Sequence, residues 1–237
     1  MFRMVKLRPP HGWDAVAWEL GIVVLGVLIA LGAQQAVESW QWRQEVRAER
    51  ASLLEEASDG LAVIANRNAQ VPCVDRRLAE IRTVLERHRR DEPLGLTGDI
   101  GHPTVESAPR GSWQIALAGQ ALTHMPHKEK LAFSNAFGWF DSWERAMQRE
   151  REVWLRLMPL NTPELMTEED WSAIPSAYAQ AVDINDVVRA AAPAGLKQVK
   201  SDIRDVEKYT PSQWDSPDLQ RVSGQICKPA LGAAGGA

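Results

Sequence analysis

The sequence predicts an all-α protein in which one N-terminal transmembrane helix continues into a helical bundle with antiparallel helices. Three observations carry that expectation. The run from 20 to 33 contains no charged or strongly polar side chain. No proline stands between Pro10 and Pro72, so a helix entered before that run can pass through it without interruption. Further along, apolar residues recur at steps of three and four, and neither strand alternation nor an internal repeat is present.

Extended to 15–37, the apolar segment reaches the ~20 residues that a helix needs to cross ~30 Å of hydrocarbon. Asp14 is placed to cap it. Trp13 and Trp18 lie at its start and Trp40 and Trp42 follow it. Trp18 and Trp40 stand roughly 33 Å apart along a helix and match two interfacial aromatic belts. Glu19 lies near the first turn, where a carboxylate is costly unless it reaches headgroups, is protonated or meets a cation. Snorkelling to the near interface satisfies it, and a pairing or proton-carrying role is the alternative. Ala17 and Gly21, Gly26 and Ala30, and Gly32 and Ala36 form small-x-x-x-small pairs that let another helix backbone approach closely. A cleaved signal peptide is the rival reading, since the run is short and Ala30-Leu31-Gly32 is a tolerable small-x-small site. Trp40, Trp42 and the unbroken helical pattern beyond the run weigh against it.

Arg3, Lys6 and Arg8 precede the segment and Arg43, Arg47 and Arg50 follow it, so positive charge does not orient it. The cysteines break the tie. Cys73 and Cys227 sit near the start and end of the remaining chain, and an oxidising compartment lets such a pair close a long loop, contributing about 4–5 kcal/mol in the chain-entropy model. Two free thiols are the alternative. The organisation expected is a cytoplasmic tail over 1–14, a transmembrane helix over 15–37, a helical extracytoplasmic domain over 38–227 and a flexible tail over 228–237.

Within that domain the first helix is expected to run on to about Asn66, with Leu54, Ala57, Leu61, Ile64 and Asn68 on one stripe. Val71-Pro72-Cys73 reads as a turn. Val74, Leu78, Ile81, Leu85 and His88 then mark a second helix folding back antiparallel onto the first. Residues 91–111 hold four glycines and three prolines, a long loop of the kind that is either mobile or functional. Ser112 is placed to cap a short helix through Leu122. A long helix follows from His127 to Met158, with Phe133, Phe137, Phe140, Trp143, Met147 and Trp154 on its apolar face. Thr167 and Asp170 resemble a capping box. Pro175 opens a segment to Ala192, and Leu196, Val199, Ile203 and Val206 define a last helix ending near Tyr209.

At 237 residues and 45% hydrophobic, the chain holds one soluble core beyond the anchor and is neither wholly disordered nor a multi-span transporter. Its net charge of -4, with acidic and basic residues interleaved, leaves no basic face for a phosphate backbone, so nucleic acid is not an expected partner. Ten tryptophans against two tyrosines are the compositional excess. Those from Trp113 onward fall mostly inside helical patterns and read as core or interface anchors. No catalytic, cofactor-binding or metal-ligating constellation emerges, and no cofactor is expected. His124 and His127 flank Pro126 and read as a surface pair at a helix start. Gly111-Ser112-Trp113 lacks the second glycine of a nucleophile elbow.

Glu19, Leu20, Ile22, Val23, Gly26, Val27, Leu28, Ile29, Ala30 and Leu31, followed by Glu38, Ser39 and Trp40, resemble the anchor of a group of uncharacterised bacterial single-pass membrane proteins. That group shares a Glu-Leu-x-Ile-Val-x-x-Gly-Val-Leu-Ile-Ala-Leu segment and a Trp- and Arg-rich stalk. Its second shared segment, a Trp followed by a Gly and a Leu before a long helix, is similar to Trp113, Gly119 and Leu122, although Ala118 stands where relatives often carry a hydroxyl residue. The resemblance covers about a third of the chain and implies a bacterial inner-membrane location and this architecture, with no activity attached. The expected function is an accessory or scaffolding subunit that docks onto a larger membrane assembly, its partners being an integral membrane protein or a second copy of itself, and the lipid bilayer. A membrane-tethered enzyme, with the 91–111 loop shaping a pocket beside His102 or His124, is the alternative.

Overall fold

The structure is a computed structural model and describes residues 12–104, 106–206 and 225–232. Six α-helices make it up: α1 (Gly12–Ala69), α2 (Val71–Arg89), α3 (Gly111–Ala118), α4 (Ala121–His124), α5 (His127–Leu157) and α6 (Glu168–Asp202). Two short 3-10 turns, Met158–Asn161 and Pro163–Leu165, link α5 to α6. The described residues contain no strand, only one antiparallel bridge between Leu96 and Leu231. The expected start at Asp14 moves to Gly12, and the last helix, expected to end near Tyr209, stops at Asp202, where Ile203 turns extended (φ -104, ψ 101).

α1 is 58 residues long, about 87 Å at ~1.5 Å per residue. Its first part, from Val16 to Gln41, is exposed throughout, and burial sets in only from Trp42 onward. One helical run among the described residues is therefore long and apolar enough to cross a membrane, and none of its most apolar stretch is covered by the rest of the chain.

The expected hairpin between α1 and α2 does not form. Gln70, the single residue between them, keeps a right-handed helical backbone (φ -82, ψ -9), and Val74 N–H donates to Gln70 O at 3.0 Å. The two helices run on as one rod from Val16 to Arg89. Pro72 explains this: at the start of a helix its missing N–H would have been unpaired anyway and its fixed φ suits the helix, so it opens α2 without turning the chain back. The antiparallel partner of the rod is α6. Arg50 of α1 meets Asp205 just beyond the end of α6, Arg67 meets Asn185, and His88 of α2 stacks on Trp171 near the start of α6.

α6 also departs from expectation in length. The capping box at Thr167 and Asp170 starts it, with Thr167 N–H donating to Asp170 Oδ2 at 2.8 Å and Asp170 N–H to Thr167 Oγ1 at 3.2 Å. It then continues through both Pro175 and Pro193. Burial of Ile174, Ala177, Ala181, Val188 and Ala192 along one face holds the helix across prolines that cost two intrahelical bonds. Glycines set the close approach of α6 and of α1 to α5. A Cβ on Gly195 would collide with the Trp139 ring, and one on Gly60 would lie 2.7 Å from the Phe140 ring, whereas Gly138 faces open space.

The interior falls into two apolar clusters. The proximal one joins α1 from Leu53 to Ile64 with Phe133, Phe137, Phe140 and Met147 of α5 and Val188 to Val206 at the end of the α6 region. The distal one joins Val74, Leu78, Ile81 and Val84 of α2 with Val153, Trp154 and Leu157 of α5, Ile174 to Ala181 of α6, and Ile100, Ile226 and Ala230. Overpacking at Gly195 is expected to cost roughly 1–3 kcal/mol in Gly195→Ala, while Gly138→Ala, which fills open space on an exposed helical face, is expected to add about 0.5–1 kcal/mol. Urea unfolding of the two variants in detergent checks both signs.

Candidate functional site

Between the two clusters lies a layer of buried charge. Arg67 and Glu150 are 2% and 0% exposed. Arg67 Nε donates to Glu150 Oε2 at 2.8 Å, and Nη2 donates to Glu150 Oε1 at 2.5 Å and to Asn185 Oδ1 at 3.1 Å. Asn185 Nδ2 in turn donates to Asp75 Oδ1 at 2.7 Å, and Asp75 is also paired with Arg189. One connected set thus touches α1, α2, α5 and α6. Each helix crosses from one apolar cluster to the other through it: Met147, Glu150 and Val153 on α5, Val188, Asn185 and Ala181 on α6.

A second polar assembly closes the distal end. Cys73 and Cys227 form a disulfide across a sequence separation of 154, with Cα atoms 4.7 Å apart. Arg77, 1% exposed, donates to the carbonyls of Asp99 and Lys228 and stands 3.1 Å from Glu80 Oε2. Burial lowers its pKa, with Glu80 and Asp99 opposing that shift. Ala230 N–H donates to Glu80, and Thr97 N–H to Ala230 O at 2.8 Å. Residues 228–232, expected to belong to a flexible tail, are therefore pinned, while 233–237 lie outside the described residues. The 91–111 loop is held as well: Ile100 N–H donates to Asn161 Oδ1 at 2.6 Å and Thr104 N–H to Gln70 Oε1 at 2.9 Å.

Ser112 is not the cap of α3. Glu56, buried in α1, accepts Ser112 N–H at 2.9 Å and Trp113 N–H at 2.8 Å. A carboxylate from a distant helix thereby takes the first free donors of α3 and its positive end. The helix then breaks at the extended Gly119, well short of the expected Leu122. One turn after Glu56, burial first and the Glu55 and Glu56 carboxylates second hold the Asp59 carboxyl above its ordinary pKa.

Two open surfaces stand out. A groove of about 540 Å³ between α5 and α6 has apolar lining from Trp139, Trp143 and Val187 and charged lining from Arg149, Glu152 and Asp183. The other, about 650 Å³, lies at the base of the domain between α1 and the α4–α5 turn. There Trp42 stacks on His124 with ring centroids 4.0 Å apart. The 91–111 loop lines neither surface, and His102, bonded to its neighbour's Pro103 O, is not brought near His124. No group of three or more potential metal ligands occurs among the described residues.

The residues singled out in the apolar segment stay apart from all of this. Ala17, Gly21, Gly26, Ala30 and Gly32 are exposed, and a Cβ on any of the three glycines would meet nothing within 4 Å. At ~100° per residue, Ala17, Gly21 and Gly32 share one side, and Gly26 and Ala30 share the other with Glu19. Trp18 and Trp40 are 72% and 58% exposed, while Trp42 is half-covered by the base of the domain. The side chain of Trp13 lies outside the described set. Compared with known proteins, the chain matches no family model, no curated protein and no solved structure.

Arg67, Glu150 and Asn185 escaped the sequence reading, yet a signal was present. The α5 stripe of apolar residues has a seven-residue gap between Met147 and Trp154, and Glu150 fills it. Arg67→Met strands a buried carboxylate and is expected to destabilise the domain by about 3–5 kcal/mol, while Arg67→Met with Glu150→Leu restores most of that loss. A double-mutant cycle from denaturant midpoints measures the coupling, and simple additivity would contradict the pairing.

Proposed function

We propose that the chain is a membrane-anchored accessory or scaffolding subunit of a bacterial inner membrane, with 15–37 in the bilayer and the helical domain outside the cytoplasm. The observation that carries this reading is the continuity of α1. The helix whose apolar surface is bare from Val16 to Val37 is the same helix whose Leu53, Leu54, Ala57 and Ile64 build the proximal core. Rotation or displacement of the anchor is transmitted to the domain without an intervening hinge, which is what a part that positions one component over another requires.

Three further features support it. The bare segment carries small residues on two sides, suited to helix–helix contact in lipid. The α5–α6 groove combines tryptophan and arginine, the side chains that most often dominate protein interfaces. The Cys73–Cys227 disulfide fits an oxidising compartment and hence an extracytoplasmic domain.

Purification of the tagged full-length chain in mild detergent is expected to recover a stoichiometric membrane partner or a second copy of the chain. Gly26→Leu, which adds bulk to the bare helix face, is expected to lose most of that recovery. A monodisperse lone monomer from the wild type would count against the reading, and unchanged recovery with Gly26→Leu would move the contact from the anchor to the domain.

A further inference from the structure

The recess at the base of the domain has features that the anchor alone does not require. It opens beside Glu38 at the end of the bare segment and continues past Trp42, Arg43 and Arg47 to His124 and Glu129. Two acidic groups face it, and both have partners. Glu129 is engaged by Arg50, and Glu38 accepts Gln34 Nε2 at 2.8 Å. Arg43 and Arg47, four residues apart on one face of α1, make no ion pair among the described residues and are exposed. With Glu129 neutralised by Arg50, Arg43 and Arg47 outnumber the one remaining carboxylate, Glu38, and the recess is net positive. Its wall is the stacked Trp42–His124 pair, with Val46 and Pro126 beside it.

Position decides what such a recess meets. Trp42 lies about 8 Å beyond Val37 at ~1.5 Å per residue, and a headgroup layer extends roughly 5–8 Å from the hydrocarbon. Helical Cα–Cβ bonds tilt toward the N-terminus, so Arg43 and Arg47 lean back toward the apolar segment. We infer that this recess binds the phosphate headgroup of an anionic phospholipid whose acyl chains lie along the bare face of α1, seating the domain on the bilayer surface. Arg43 and Arg47 supply the charge, and the Trp42–His124 pair supplies an amphipathic wall at the depth where tryptophan is favoured. The inference rests on the reading of 15–37 as membrane-spanning.

The test uses the full-length chain reconstituted in bilayer discs of phosphatidylcholine alone or mixed with phosphatidylglycerol. Lipid retained on release into detergent is read by native mass spectrometry. Wild type is expected to retain phosphatidylglycerol in preference to phosphatidylcholine, and Arg43→Gln with Arg47→Gln to lower that retention by about thirtyfold, from the typical effect of two basic residues at an anionic surface. Arg43→Lys with Arg47→Lys should keep most of it. A distal control, Arg82→Gln with Arg89→Gln, should leave it unchanged, and the helical circular dichroism signal of each variant reports that it folds. Equal retention of the two lipids by wild type, or no loss in the glutamine variant, would overturn the inference. So would displacement of the lipid by millimolar inorganic phosphate, which would mark a free-phosphate site. Alkaline carbonate washing of the source membranes separates the two readings. Release of the wild-type chain would sink the anchor and the lipid site together, whereas retention in the pellet without lipid preference would sink the lipid site alone.

Discussion

The buried contact of Arg67 with Glu150 sets the register of everything around it. In its two apolar neighbours, the proximal and distal clusters, alignment is fixed sterically where Gly60 receives Phe140 and Gly195 receives Trp139. The charged layer adds an electrostatic constraint on the same alignment. Slipping α5 by one turn would set the Arg67 guanidinium against Met147 or Trp154 and leave Glu150 in an apolar cluster. Stranding one member of a buried pair costs about 3–5 kcal/mol, a large share of the stability of a domain this size. Well-packed apolar residues could match the pair in stability, so its physical role is to select one alignment of four helices. Arg67 Nη1 is buried with no hydrogen-bond partner among the described residues.

That alignment makes the α1–α2 rod possible. Nothing local forces α2 to continue outward, since a proline two residues into α2 is compatible with either a turn or a helix start. The choice is made by α6, which offers Asn185 to α1 through Arg67 and to α2 through Asp75, and then Trp171 to His88. The disulfide and Arg77 complete the arrangement by fastening the last described residues and the 91–111 loop to α2. Both segments are short of regular hydrogen bonds and obtain them from rod side chains such as Gln70, Arg77 and Glu80, from Asn161 and from each other's backbone.

Where one local rule applies, the sequence was legible. The bare apolar segment, the apolar stripe of α5 and the capping box of Thr167 each follow from spacing or from a single side-chain bond, and each stands close to where it was expected. Where two rules compete, it was not. Pro72 and Pro175 read as boundaries because proline usually marks one, yet tertiary contacts with α6 and with the distal cluster carry helices past both. Ser112 reads as a cap, but α3 already begins at Gly111 and the N–H groups of Ser112 and Trp113 are taken by Glu56, 56 and 57 residues away in sequence, which no local pattern reveals. The glycines of the apolar segment drew attention while Gly60 and Gly195, which set the close approach to α5, did not. Small residues matter where something packs on them, and packing is not visible in one sequence.

The functional account depends on rigid continuity from the bare segment of α1 to the tip of α2, since an anchor that moves independently of its domain positions nothing. The most direct measurement is the distance between spin labels at positions 48 and 82, both on exposed faces, in the full-length chain with its disulfide intact. A continuous α1–α2 rod places them roughly 50 Å apart in one narrow distribution, at ~1.5 Å per residue. A hairpin closing at Gln70 would bring them to about 20 Å, and a hinge there would broaden the distribution across that range, either of which would contradict the account.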